Sequence, residues 1–236
     1  MLQLTEDLWI AETIQPIAPG LRFPARMLVA RLDDGLWIHS PIPIDDALAA
    51  ELDALGEVRH LVAPNCLHHL HLGPASQRWP AAKVYAPAGL EAKRDDLRID
   101  VILESGAAPW PAFAPVIQIA GADDAGELVF VHRPSKTLIL CDLAFNMHAA
   151  PNAMTRLVLR LVGVWRRFGQ SKVWRRMTRD RGAAGASCAA IFDHEFERIY
   201  VSHGDVVEGP NAAAQLRDAL AWMLAGHREH GHEHGT

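Results

Sequence analysis

Short apolar runs separated by turn residues occupy the first forty positions of the chain. Three runs, at 8–14, 26–32 and 35–40, are rich in aliphatic, aromatic and β-branched residues. Proline- and glycine-containing stretches and an Asp-Asp-Gly turn at 33–35 divide them. This pattern predicts an antiparallel meander at the start of the fold.

After this meander, the pattern changes to strands that alternate with helices. Leu48, Leu52 and Leu55 recur at helical spacing behind two aspartates, which suit the positive end of a helix dipole. Strands are predicted at 60–64 and 83–87, and a histidine-rich segment that opens a helix lies between them. Alternation of this kind predicts an α/β sheet.

The second half of the chain continues the α/β pattern. Proline-rich residues from 89 to about 115 predict a loop. Apolar runs at 127–132 and 137–142 flank a turn and predict a hairpin. A strand at 198–204 and a helix at 213–227 close the pattern. We therefore expect a layered α/β fold in one domain.

A basic segment, residues 151–182, interrupts this pattern. Its positions 151–181 hold nine Lys/Arg against one Asp, and Leu157, Leu161, Val164 and Trp165 recur at helical spacing. The spacing predicts an amphipathic helix or helix pair. Three interpretations stay open: a solvated charged face, a lid or wall that attracts an anionic substrate, and a surface for anionic membranes or a protein partner.

Composition limits the class of protein. Half of the 236 residues are hydrophobic, 22% are charged and the net charge is −5, which excludes a disordered chain and disfavours a nucleic-acid partner.

We expect one domain over 1–225 and a disordered His-rich tail over 226–236. No apolar run reaches the roughly 20 residues that span a bilayer. The acidic start lacks the features of a secretory signal, so we expect a cytoplasmic location.

The three cysteines are an odd number and include no CxxC pair, so we interpret them as reduced thiols.

The first candidate for chemistry is the histidine-rich run at 65–71, Asn-Cys-Leu-His-His-Leu-His, directly after a predicted strand. Open α/β sheets bind ligands at the carboxyl ends of their strands. Neutral imidazole is the commonest protein ligand for zinc and similar ions. His68, His69 and His71 are therefore candidate metal ligands, or else exposed residues at the start of a helix.

Two further strands end in residues that can ligate metal. Asp142 follows the apolar run at 137–141, and His203 follows the run at 199–202. Asp142 is a possible hard oxygen ligand or a helix N-cap. A single sheet can bring these strand ends and the histidine-rich run to one edge.

These motifs, in this order, resemble the metallo-β-lactamase superfamily. The resemblance runs from about residue 1 to residue 225 and implies an α/β fold of four layers, an αββα sandwich. It is strongest to an uncharacterised branch, a domain of unknown function, which shares the phrases LVAPNCLHHLHLG, FVHRPSKTLILCDLAFN and VSHGDVVEG.

The resemblance implies a metal site that departs from the superfamily pattern. Asn65 and Leu67 stand where the His-x-His-x-Asp-His run begins, and Gly121-Ala122 replaces a Gly-His pair. The implied ligands are His68, His69, Asp142 and His203, with His71, Cys66 or His132 as substitutes for the missing histidine. Asp142 and His69 are the implied catalytic residues.

The implied activity is hydrolysis of an ester, lactone, thioester or phosphodiester in a small substrate by metal-activated water, with an anionic substrate as one alternative. Zinc, iron or manganese is implied, as one ion, two ions or none. The alternative is a non-catalytic relative that has lost metal ligands and binds a small molecule, a protein or an anionic membrane. The oligomeric state stays open.

Overall fold

A computed structural model describes the backbone of residues 1–233 and the side chains of residues 1–227. The strands are β1 (Leu2–Gln3), β2 (Leu8–Ala18), β3 (Leu21–Leu32), β4 (Gly35–His39), β5 (Val58–Val62), β6 (Lys83–Pro87), β7 (Val101–Leu103), β8 (Ile117–Gln118), β9 (Leu128–His132), β10 (Thr137–Leu140), β11 (Phe145–Asn146), β12 (Phe168–Gly169), β13 (Arg198–Val201) and β14 (Val207–Glu208). The helices are α1 (Asp46–Leu55), α2 (Leu72–Arg78), α3 (Leu90–Lys93), α4 (Ala153–Val162), α5 (Lys172–Met177), α6 (Arg181–Ala190), α7 (Ala212–Ala219) and α8 (Ala221–Glu233).

The first sheet contains β1 to β7 in sequential order. Strands β2 to β4 form the predicted antiparallel meander, β1 pairs antiparallel with β2 at its edge, and β4 to β7 are parallel. Helix α1 connects β4 to β5, and it begins at Asp46 because the Asp45 carboxylate accepts a 2.8 Å hydrogen bond from the backbone N–H of Leu48. The meander and the first helix are confirmed.

The second sheet has the order β14-β13-β10-β9-β8. Strands β9 and β10 form the predicted antiparallel hairpin, and β13 lies parallel to β10 on its other side. Because β10 and β13 are parallel, both strands end at the same edge of the sheet, and the residues that follow them lie close together.

Four layers result from the packing of these sheets. Trp37 of the first sheet packs with Phe130, Ile139 and Tyr200 of the second in the core between the sheets. Helices α1 and α2 cover the outer face of the first sheet, and α6, α7 and α8 cover the outer face of the second. The predicted αββα architecture is confirmed.

Two connections differ from the prediction. The stretch 89–115 contains helix α3 and strand β7, which pairs with β6, rather than loop alone. Strand β7 has three residues, too few for a period to be visible in the sequence. The helix predicted at 213–227 is divided into α7 and α8 at Leu220.

The disorder predicted over 226–236 stays a prediction, and helix α8 extends to Glu233. Helices α6 and α8 pack closely at two glycines. A Cβ on Gly226 would lie 2.8 Å from the backbone oxygen of Arg181, and a Cβ on Gly185 would collide with the backbone oxygen of Met223.

Residues 234–236 lie outside the described residues. None of the helices in the described part of the chain combines the length and the apolar composition that a membrane span requires.

Candidate metal centre

Three predicted site residues meet beyond the ends of three strands. Leu140 of β10 lies opposite Val201 of β13, so Asp142 and His203, each two residues further on, leave the same edge of the sheet. His68 reaches them from the loop after β5. Its Nε2 lies 3.0 Å from His203 Nε2 and 3.4 Å from Asp142 Oδ2. His203 Nε2 lies 3.3 Å from Asp142 Oδ1. We call these three side chains the His-Asp-His cluster.

The orientation of His203 is fixed from three sides. Its Nδ1 lies 2.6 Å from the carbonyl oxygen of Pro24, which can only accept, so Nδ1 carries a proton. Phe145 stacks on the ring with centroids 5.2 Å apart and an interplanar angle of 3°. Phe23 meets the ring edge-on at 5.2 Å. These contacts direct Nε2 at Asp142.

Gly204 allows the His203 loop to lie against the loop that follows β10. Its φ is 108°, and a Cβ there would collide with the backbone oxygen of Asn146. The backbone N–H of Asn146 donates a 3.0 Å hydrogen bond to the carbonyl oxygen of His203. Glycine at 204 thus sets the close approach of the two loops that carry Asp142 and His203.

His68 is oriented in a similar way. Its Nδ1 lies 2.8 Å from the hydroxyl of Ser40, at the end of β4. Ser40 has a φ of 55°, a left-handed conformation that residues other than glycine seldom adopt. A hydrogen bond to Nδ1 leaves Nε2 to face the cluster, as in metal sites where outer-shell groups fix the ligand tautomer.

Asn65 connects the histidine-rich loop after β5 to Glu127 and Asp142 through a fully bonded side-chain amide. Its Nδ2 donates to Glu127 Oε2 at 2.8 Å and to Asp142 Oδ2 at 2.9 Å. Its Oδ1 accepts from the backbone N–H groups of Leu67 and His68 at 2.9 and 2.7 Å. Asn65 therefore holds Asp142 and the histidine-rich loop in place.

Glu127 was not identified from the sequence, although it lies at the centre of this network. Its buried carboxylate accepts from the backbone N–H groups of Cys141, Asp142 and Leu143 at 2.9 to 3.0 Å. A signal was available, because hairpin pairing places the residue before β9 beside the residues after β10. Glu127 therefore fixes the backbone from which the Asp142 side chain projects.

The electrostatics of the cluster follow from burial and mutual contact. Burial alone would raise the pKa of Asp142, but His68 and His203 hold it well below its usual range. Burial would lower the pKa of His68, but the Asp142 carboxylate raises it overall. Burial, with Asp142 next to it, raises the pKa of Glu127 to about 7. Asp142 is thus held as the anion of the site.

The cluster fits a divalent transition ion in donor type and in spacing. Imidazole nitrogen and carboxylate oxygen are both ligands of zinc and related ions. Donors in tetrahedral positions about 2.05 Å from a zinc ion are about 3.3 Å apart. The donor atoms of the cluster are separated by 3.0, 3.3 and 3.4 Å. Three protein ligands leave a coordination position for water or substrate, as catalytic sites require.

Cys141 adjoins this donor set. Donor atoms of His68, Cys141 and Asp142 lie within 4.8 Å of one another. Burial, followed by the charges of Asp142 and Glu127, raises the pKa of the Cys141 thiol well above its usual range. We take His203 as the third ligand because its Nε2 lies 3.0 Å from His68 Nε2 and 3.3 Å from Asp142 Oδ1, spacings that suit one common ion.

His69 and His71 are not brought into the cluster. His69 Nδ1 lies 2.7 Å from Nη1 of Arg94, which can only donate. Adjacent residues in a turn point in different directions, so His69 faces Arg94 while its neighbour His68 faces Asp142. His71 lies further along the loop, and its Nε2 lies 2.8 Å from Oε1 of Gln15.

The other two predicted substitutes for a missing ligand, Cys66 and His132, also lie elsewhere. The Cys66 thiol lies 3.8 Å from the backbone oxygen of Ala88. His132 Nδ1 lies 2.8 Å from the hydroxyl of Ser135 in the hairpin turn. The turn is at the opposite end of β10 from Asp142, so His132 cannot reach the cluster.

The cluster faces a cavity of about 390 Å³. His71 lines the same cavity, as do apolar residues from β2, β3 and the histidine-rich loop. Asp142 is the one carboxylate among the described lining residues, and no lysine or arginine is among them. A reactive group at the cluster would therefore have apolar surroundings.

The basic segment supplies one wall of this cavity with its apolar side. Val158 and Val162 of α4 and Trp174 of α5 line the cavity. Arg156 and Arg160 of α4 are exposed. The segment, for which one helix or a helix pair is predicted, contains α4 and α5, and the wall it contributes is hydrophobic.

Comparison with solved structures finds this fold in many metallo-β-lactamases. A metallo-β-lactamase from Pontibacter korlensis is 14% identical, with 94% of this chain and 97% of that chain aligned at a TM-score of 0.64. One from Hirschia baltica is 12% identical, with 94% and 96% aligned at 0.61. FIM-1 from Pseudomonas aeruginosa, in its mono-zinc form, is 14% identical, with 97% and 94% aligned at 0.59.

The chain therefore has the metallo-β-lactamase fold, as the sequence resemblance implied. Residues 5–91 match the model of a family described as a domain of unknown function, DUF4336. That match includes His68 and ends before Asp142 and His203. No curated protein matches the chain in sequence. These structural similarities establish the fold. Any assignment of a reaction depends on the residues of the site itself.

Proposed function

We propose that the protein is a metal-dependent hydrolase whose single ion is held by His68, Asp142 and His203. The observation that carries the proposal is the convergence of these three donors in the wall of a cavity, with Nδ1 of both histidines already engaged by other groups. Zinc, iron and manganese all suit two imidazoles and a carboxylate. His69, implied as catalytic by the superfamily pattern, has no role in this proposal because it faces Arg94.

A bound ion of this kind polarises a carbonyl and lowers the pKa of water towards about 7, which supplies a nucleophile at neutral pH. The protein's own residues hold the three ligand side chains in position. Pro24 and Ser40 fix the two imidazoles, while Asn65 and Glu127 fix Asp142. Because every donor is held before substrate arrives, little reorganisation is needed when charge develops in the transition state.

The surroundings favour small substrates with a hydrolysable carbonyl. Esters, lactones and thioesters place one electrophilic carbon at the cluster and the remainder of the molecule in the cavity. The apolar side chains of the cavity take part of that remainder out of water, which favours its binding.

A non-catalytic protein of the same fold is the second candidate. Asn65 and Leu67 occupy positions where the superfamily pattern has histidines, and Asn65 has become a structural residue. Such a protein would bind an ion or a small molecule without turnover. Activity measurements separate the two candidates.

The experiment assays full-length protein, stripped with a chelator and reloaded with zinc, manganese or iron(II), against uncharged esters, lactones and thioesters and a phosphodiester. We expect metal-dependent hydrolysis that is lost in His203→Ala and retained in His69→Ala. The two variants are matched because each removes one imidazole, and only the first removes a cluster donor. Absence of turnover with every metal, or equal loss in both variants, would contradict the proposal.

A further inference from the structure

The cavity beside the His-Asp-His cluster has the composition of a binding site for an apolar group. Large hydrophobic side chains from four parts of the chain surround it, including Leu21, Phe23, Ile42, Phe145, Val162 and Met177. Its volume of about 390 Å³ falls within the range of about 300 to 1,000 Å³ that small-molecule sites occupy. An acetyl group would leave most of this space unfilled.

Away from the cluster, the described lining of the cavity offers no positive charge to an anionic group. A phosphate or carboxylate placed among these side chains would lose its hydration without gaining a lysine or arginine partner from the described lining residues. The arginines Arg156 and Arg160 belong to the helix that forms the wall, but their side chains are exposed. The basic segment therefore does not supply the cavity with positive charge.

We propose that the site takes an uncharged ester, lactone or thioester with an apolar acyl chain, the carbonyl at the cluster and the chain in the cavity. The reaction in this statement rests on the proposed hydrolase function. The binding of an apolar chain rests on the cavity alone and can be tested without catalysis.

Two neighbouring positions on α4 provide a matched pair of variants. Val162 lines the cavity, whereas Leu161 is 65% exposed on the outside of the same helix. Val162→Arg introduces a charge into the cavity, and Leu161→Arg makes the same chemical change facing solvent. Because arginine is well tolerated in helices, a difference between the two variants is caused by the charge placed in the cavity and not by loss of the helix.

The binding experiment measures displacement of the neutral fluorescent probe N-phenyl-1-naphthylamine by ethanol, 1-butanol, 1-hexanol and 1-octanol. Each buried methylene strengthens binding about fourfold, so affinity should rise steeply along the series. We expect this gradient in the wild-type chain and in Leu161→Arg, and its loss in Val162→Arg. A flat wild-type series overturns the proposal whether or not Val162→Arg folds, and so does an unchanged gradient in a folded Val162→Arg.

The catalytic experiment uses zinc-loaded protein and p-nitrophenyl esters from acetate to octanoate. We expect kcat/KM to rise with chain length in the wild-type chain and in Leu161→Arg only. An alkanol gradient without hydrolysis of any ester would overturn the hydrolase proposal and leave the apolar site supported. Hydrolysis without dependence on chain length would overturn the substrate class and leave the hydrolase proposal intact.

Discussion

The Nε2 atoms of His68 and His203 lie 3.0 Å apart, although 135 positions separate the two residues in the sequence. His203 Nδ1 must carry a proton because it faces the carbonyl oxygen of Pro24. In the neutral ring, His203 Nε2 then presents a lone pair to His68. Such a contact is stable when a proton or a metal ion lies between the nitrogens. The 3.0 Å distance between the two nitrogens therefore suits two states: a protonated His68 that donates to His203, and two neutral imidazoles that bind one metal ion.

Replacement of Ser40 by alanine should weaken metal binding without removing a ligand. The hydroxyl of Ser40 lies 2.8 Å from His68 Nδ1 and helps to fix the ring. Loss of such an outer-shell hydrogen bond typically weakens metal affinity about 10- to 100-fold. Competition with a chromophoric zinc chelator measures this change in Kd.

Ser76→Ala is the control for this variant, since the Ser76 hydroxyl donates only a local bond to the backbone oxygen of Gly73. It should leave the zinc Kd unchanged. A Ser40→Ala protein that binds zinc as tightly as the Ser76→Ala protein would argue against the assigned role of His68.

Asn65→Asp should destabilise the fold strongly at neutral pH. Asn65 Nδ2 donates to both Glu127 and Asp142, so the substitution places a third carboxylate between two others. We expect a loss of about 3 kcal/mol or more in the free energy of unfolding at pH 7.5, measured by urea denaturation.

The deficit of Asn65→Asp should shrink as the pH falls. Repulsion raises the pKa of the new carboxyl above its unfolded value, so the folded state gains the proton first and is favoured by acid. Asn211→Asp makes the same change at an exposed position and should show no such deficit. A small, pH-independent effect at residue 65 would mean that the amide does not bridge the two carboxylates.

His39 should make the protein sensitive to acid. Its ring is fully buried and neither nitrogen has a hydrogen-bond partner among the described residues. Burial, followed by the nearby His68, lowers the pKa of His39 to about 3. Above pH 6.5, both folded and unfolded states hold this imidazole neutral. Below it, only the unfolded state gains the proton, so the stability attributable to His39 is lost progressively towards pH 3.

Between pH 6.5 and 5, this effect costs about 2 kcal/mol of unfolding free energy. His39→Phe keeps an aromatic ring beside Trp37 and Phe130 and removes the titration. Urea denaturation at pH 7.5 and 5.0 should therefore show a smaller acid loss in the variant by about this amount. Equal losses in the two proteins would mean that His39 is not held neutral.

Much of the fold could be predicted because its signals are local. The start of α1 behind two aspartates, the meander and the 127–142 hairpin are each visible within a short window of sequence. Strand β7 and the break at Leu220 could not be predicted in this way, because three strand residues show no period and α7 and α8 share one helical pattern.

The site could be predicted only in part for the same reason. Asp142 and His203 could be identified because each follows an apolar strand, and parallel neighbouring strands end at the same edge of a sheet. The choice between the adjacent residues His68 and His69 depends on the conformation of a turn, which has no periodic signal. The role of Glu127 depends on its pairing across the hairpin, and the apolar cavity depends on α4 and α5 packing near β2 and β3.

The measurement that tests the central claim most directly is the metal content of the full-length chain with its tail histidines His230, His232 and His234 replaced by alanine. Protein purified without nickel resin and supplied with zinc is analysed by elemental analysis, beside His203→Ala and His69→Ala in the same background. We expect about one ion per chain, retained in His69→Ala and lost in His203→Ala, because only His203 belongs to the converging donor set. Absence of metal from the parent chain, or equal retention in both variants, would contradict the assignment of His68, Asp142 and His203 as a metal centre.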